Sequence, residues 1–114
     1  MKLNQAKEQE LKELCRTLRI DALRAIYQRG SGHAGGSLSV CEIMAALYFE
    51  ELHVRPSDPD WPERDRVVLC KGHAAPMLYA ALSRRGFFPP EEMSTLRHLD
   101  SRLQGHPCAG KTPG

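Results

Sequence analysis

Apolar positions Leu11, Leu14, Cys15, Leu18, Ala22, Leu23, Ala25 and Ile26 recur at three- and four-residue steps through a run free of Gly and Pro. That period predicts one long amphipathic helix, starting between Asn4 and Glu8 and ending at Arg29. Gly30 is expected at its left-handed C′ position. Ser39 and Glu42 fit a capping box for a second helix, whose apolar face would hold Ile43, Ala46, Leu47, Tyr48, Phe49 and Leu52. His53 to Arg64 carries three prolines and reads as a loop, with Trp61 filling a surface groove. Val67, Val68 and Leu69 form an uninterrupted apolar run bounded by charge and by Gly72, as a buried parallel strand over residues 66–70 would. Pro76 suits the first turn of a following helix, Met77 to Arg85, with Leu78, Ala81 and Leu82 inward and Gly86 as its stop. Pro90, Glu91 and Glu92 open another, with Met93, Leu96 and Leu99 inward and His98 on the surface.

One strand among helices defines an α/β chain, and a lone strand is not a stable structure. The expectation is that residues 1–114 are the opening part of a longer domain, incomplete at the C-terminal side. A chain of 114 residues is at most one domain. Its composition, 41% hydrophobic and 26% charged, is that of globular material rather than a disordered segment. No apolar run approaches the ~20 residues of a membrane span, and the charged N-terminus lacks a signal-peptide core, so a cytoplasmic address is expected. A formal charge of +2 with interspersed signs argues against nucleic acid as a partner. Cys15, Cys41, Cys70 and Cys108 include no C-x-x-C pair, which predicts free thiols, three of them buried on helix or strand patterns and Cys108 exposed.

The chemistry-bearing residues are three Gly-His pairs in loops, ending at His33, His73 and His106. Four glycines surround His33 between Gly30 and Gly36, enough for a flexible connector or for close approach to a ligand. His73 follows the apolar run, at the carboxyl end of the expected strand, where open α/β sheets bind ligands. Two readings of the histidines stand. They could ligate metal, although no pair has i, i+4 spacing and no carboxylate or cysteine set accompanies them. Alternatively, they could hydrogen-bond phosphate or hydroxyl oxygens of a polar ligand.

The segments SGHAGGSLSVCEIMAALYFEEL, DPDWPERDRVVLCKGHAAPMLYAALSRRGFF and LQGHPCAGKTPG together closely resemble the N-terminal part of transketolase, in particular the separate N-terminal subunit of the split type. The resemblance spans residues 11–114 and implies a segment of a doubly wound, thiamine diphosphate-binding domain. It implies a glycolaldehyde transferase, moving a two-carbon ketol unit from a ketose phosphate to an aldose phosphate. Carried over by position, His73 would touch the cofactor diphosphate with Gly72 giving clearance, His33 would face the sugar, and His106 would bond the donor hydroxyl near the reacting carbon. Ala34 stands where many transketolases have proline. The resemblance also implies Mg²⁺, held by residues outside this chain, a C-terminal transketolase subunit as partner, and an oligomeric complete enzyme. The chain by itself is expected to be inactive. A sister thiamine diphosphate enzyme of the 1-deoxyxylulose-5-phosphate synthase type and a non-catalytic docking module are the alternatives.

Overall fold

The computed structural model describes residues 3–114. Helix α1 spans Gln5–Arg29, α2 Ala34–Ser39, α3 Cys41–Ala46 and α4 Ala75–Arg85. A π-helical turn, Leu47–Glu51, extends α3, and 3₁₀ turns cover Gly72–Ala74 and Pro90–Thr95. Each end of α1 is set by a side chain or a glycine in the chain itself. The Asn4 carboxamide oxygen accepts the Lys7 N–H at 2.8 Å, satisfying one of the free donors of the first turn. Gly30 turns the chain out at φ 78°, a conformation glycine adopts without steric cost, and its N–H returns to the Ile26 and Tyr27 carbonyls.

Helix α4 is buried from Ala75 through Ser83, so it is the central element on which the others pack. Leu18, Ala22 and Ala25 of α1 belong to the same core, as do Cys41, Met44 and Tyr48, and Leu96 and Leu103 close it from the C-terminal side. One charged residue enters this interior. Asp21 of α1 is buried and receives both the Nε (2.6 Å) and the Nη2 (3.0 Å) of Arg84 from α4, a bidentate pair that joins the two helices.

Several expectations are corrected. No strand forms among the described residues, and 66–70 is irregular. Val67 and Leu69 pack on the core while Val68 is 84% exposed, because no neighbouring backbone offers a ladder and only alternate side chains find cover. The Ser39/Glu42 capping box is absent. The glycine-rich segment turns helical already at Ala34, so Ser39 lies in the last turn of α2, where its hydroxyl donates to the Gly36 carbonyl. The Glu42 carboxylate pairs with Arg19 instead of reaching back to a cap. The element begun by Pro90 is a 3₁₀ turn ending at Thr95, and positive φ at Arg97 (60°) and Asp100 (65°) diverts the chain, leaving Leu99 94% exposed rather than inward. Ile43 and Leu23 are also exposed, and so is Cys70, which sits on the irregular segment and not in a sheet. Cys15 and Cys41 are buried free thiols and Cys108 is exposed. His98 lies on the surface, and half-buried Trp61 carries the Arg55 guanidinium 3.8 Å over its ring.

Candidate functional site

His33 stands at the cap position of α2, His73 in the 3₁₀ turn that leads into α4, and His106 in the C-terminal tail. Packing of α2 and that turn beside one another brings the first two together, with ring centroids 4.5 Å apart in an edge-to-face arrangement. The third arrives because the tail is tied down. Tyr79 of α4 donates to the Gln104 carbonyl at 2.5 Å, the Thr112 hydroxyl donates to the Arg102 carbonyl at 2.6 Å, and Leu103 is fully buried between these ties. His106 then lies 6.2 Å from His73, centroid to centroid. All three side chains are exposed, so their ring nitrogens are open to a ligand.

Gly72 is the floor of this cluster. A Cβ built there would stand 2.3 Å from His106 Cδ2 and 2.9 Å from its Nε2, inside contact distance. The absent side chain is what lets the His106 ring lie over the backbone of the His73 loop. Lys71, one residue earlier, donates from Nζ to the Ser39 hydroxyl at 2.6 Å and so fastens the loop to α2. Sequence reasoning missed Lys71 and read Ser39 only as a helix cap, and the signal for Lys71 was its place in the Lys-Gly-His run. Among the described residues no carboxylate pairs with Lys71 or these imidazoles. Nor does any group of three His, Cys, Asp or Glu side chains there converge as a metal site would require.

Three imidazoles, one ammonium and no carboxylate make a set of donors suited to an oxyanion or a polyhydroxy ligand. The donor set and the clearance at Gly72 fit a diphosphate, and the chain matches the family model described as the thiamine diphosphate binding domain of transketolase over residues 8–114. It is 46% identical over 105 residues to the 6-deoxy-6-sulfo-D-fructose transketolase subunit of Clostridium sp. (strain MSTE9), covering 92% of this chain and 38% of that protein. It is 45% identical over 106 residues to the transketolase of Pongo abelii, covering 93% and 17% respectively. The crystal structure of Pichia stipitis transketolase in complex with sedoheptulose 7-phosphate superimposes on 91% of the chain, with TM-score 0.85 and 33% identity, over 15% of its own length. The fold is thus that of a segment of a thiamine diphosphate-binding domain. The chain belongs to the transketolase family, and it spans well under half the length of these relatives.

Proposed function

We propose that this chain supplies the histidine-lined part of a transketolase active centre, in an enzyme that moves a two-carbon ketol unit from a ketose phosphate to an aldose phosphate. The observation that carries this reading is the meeting of His33, His73 and His106 around Gly72, from three separate stretches of a chain similar to transketolases over nearly its whole length. In it, His73 and the Gly72 backbone hold the diphosphate, His33 faces the sugar, and His106 bonds the donor hydroxyl beside the reacting carbon. Thiamine diphosphate, when bound, supplies the carbon chemistry. The imidazoles hold the substrate hydroxyls in register and pass protons among them, since each ring can donate at one nitrogen and accept at the other near neutral pH.

Mg²⁺ belongs with the diphosphate and needs an octahedral oxygen set, which this reading assigns to residues outside 1–114. The same reading puts residues 66–70 on a strand of a doubly wound sheet completed outside this chain, and the exposure of Val68 supports it. A C-terminal transketolase subunit, an oligomeric assembly, a cytoplasmic setting and inactivity of the isolated chain belong to it as well.

The test grafts residues 1–114 in place of the matching segment of a full-length split transketolase, assembled with its C-terminal subunit. Xylulose 5-phosphate and ribose 5-phosphate should turn over in the graft and not with the isolated chain. His106→Ala should cost on the order of 100-fold in kcat/KM, the scale of one general acid–base or charge-stabilising contact. Turnover of pyruvate in place of a ketose phosphate would move the reading to the sister synthase. A second reading rests on the sulfosugar relative at 46% identity. A preference of the graft for 6-deoxy-6-sulfo-D-fructose over xylulose 5-phosphate would establish it.

A further inference from the structure

Arg97 has φ 60°, in the left-handed region that bulky residues rarely occupy. Such a conformation persists only where the surroundings over-determine it. Three contacts do so. The Arg97 backbone N–H donates to the Leu103 carbonyl at 2.8 Å, which doubles the chain back on itself. Its Nη1 donates to the Ser31 hydroxyl at 3.2 Å, two residues before His33. Its Nε stands 3.4 Å from where a Cβ on Gly105 would be, one residue before His106.

The exposed guanidinium therefore bridges the loops that carry two of the three histidines, by a hydrogen bond at Ser31 and close packing at Gly105. Arg19, Arg84 and Arg102 are paired with Glu42, Asp21 and Glu92. Arg97 forms no ion pair among the described residues and gives its hydrogen bond to a neutral hydroxyl. Surface charge pairing thus does not account for its place.

We infer that Arg97 is a positioning residue: its left-handed backbone aims a planar donor across the gap, and that donor sets the spacing of the His33 and His106 loops around His73. Loss of the side chain removes the hydrogen bond to Ser31 and the packing on Gly105 together, and no hydrogen bond directly joins the Ser31–His33 stretch to the Gly105–His106 stretch among the described residues, so the two loops can drift independently. The inference deepens the proposed function, on which it rests for its consequence. Its test is made on the full chain without ligand, so the loop geometry is read whether or not the cluster meets a diphosphate.

The experiment compares the parent chain with Arg97→Ala, Arg97→Gly, Arg97→Lys and Ser31→Ala by NMR of the histidine rings and by thermal melting. Arg97→Gly relieves the backbone while removing the guanidinium. It should melt no lower than Arg97→Ala, yet lose the ring-proton cross-peak between His33 and His73 and shift the His106 resonances. Ser31→Ala should move the His33 signals and leave those of His106 in place. Arg97→Lys, which keeps a cationic donor, should recover part of the cross-peak. Unchanged imidazole spectra in both Arg97→Gly and Ser31→Ala would overturn the inference, and so would shifts that merely track a lowered melting temperature. If Arg97→Gly does not fold, Ser31→Ala decides alone, because Ser31 is exposed and its hydroxyl makes no other hydrogen bond among the described residues.

Discussion

At Gly72 the fold and the site make different demands on one atom. Its φ is not left-handed, so alanine is compatible with the backbone there, and the obstacle to a side chain is the His106 ring alone. That ring is exposed and can swing away at little cost. Gly72→Ala should therefore change the stability of the chain by only about 0.5 kcal/mol, the range of surface substitutions. The added methyl also fills the clearance that the proposed function gives the diphosphate at Gly72, so thiamine diphosphate affinity in the grafted enzyme should fall roughly tenfold, the equivalent of one hydrogen bond. Thermal melting beside a calorimetric titration separates the two effects. A large drop in melting temperature would mean that Gly72 serves the fold and not the ligand.

The elements differ in how plainly the sequence announces them. Helix α1 carries its period and both of its caps within its own residues, so its limits follow from local chemistry. Residues 34–39 contradict the low helix propensity of two glycines, about 1 kcal/mol each relative to alanine. Tertiary packing overrides that propensity: Ser37 is fully buried and the turn holding His73 lies alongside. The 66–70 stretch has the composition of a buried strand, but a ladder needs a second backbone that residues 3–114 do not present. The histidine cluster was legible as three loop histidines beside glycines. Their convergence was not, because packing of α2, α4 and the tail, rather than any spacing along the chain, brings them together; only the family resemblance grouped them.

Asp21 was equally hidden, since its partner lies 63 positions away. The pair makes an asymmetric prediction at the junction of α1 and α4. The Asp21 side chain is 7% exposed and that of Arg84 37%, so the carboxylate depends on the guanidinium more than the reverse. Arg84→Met should cost about 3 kcal/mol by leaving a buried charge without a partner. Asp21→Asn, which removes the charge and keeps a hydrogen-bonding oxygen, should cost about 1 kcal/mol. Urea titrations of the two variants check the order, and equal losses would mean that the pair acts mainly through packing.

Across the whole molecule, buried protic groups join the helices to the tail. The Tyr48 hydroxyl donates to the Gly114 carbonyl at 3.3 Å, and Tyr79 holds Gln104. Burial pushes both phenols up from 10.0 to about 12, and burial together with the neighbouring Cys15 sulfur pushes the Cys41 thiol from 9.0 to about 12. Each group keeps its proton in the folded chain at a pH where the unfolded chain releases it. Their contribution to stability is thus complete below about pH 9, and it is lost as pH climbs toward 12. Denaturation midpoints followed by far-ultraviolet circular dichroism should hold steady from about pH 7 to 9 and then decline. Tyrosinate absorbance from Tyr48 and Tyr79 should rise only as helix is lost. Tyr79→Phe should start about 1 kcal/mol less stable, for want of the bond to Gln104, and then decline less steeply. A parent chain whose midpoint stays level to pH 11 would show that these phenols ionise in place, and that the tail is not held through them.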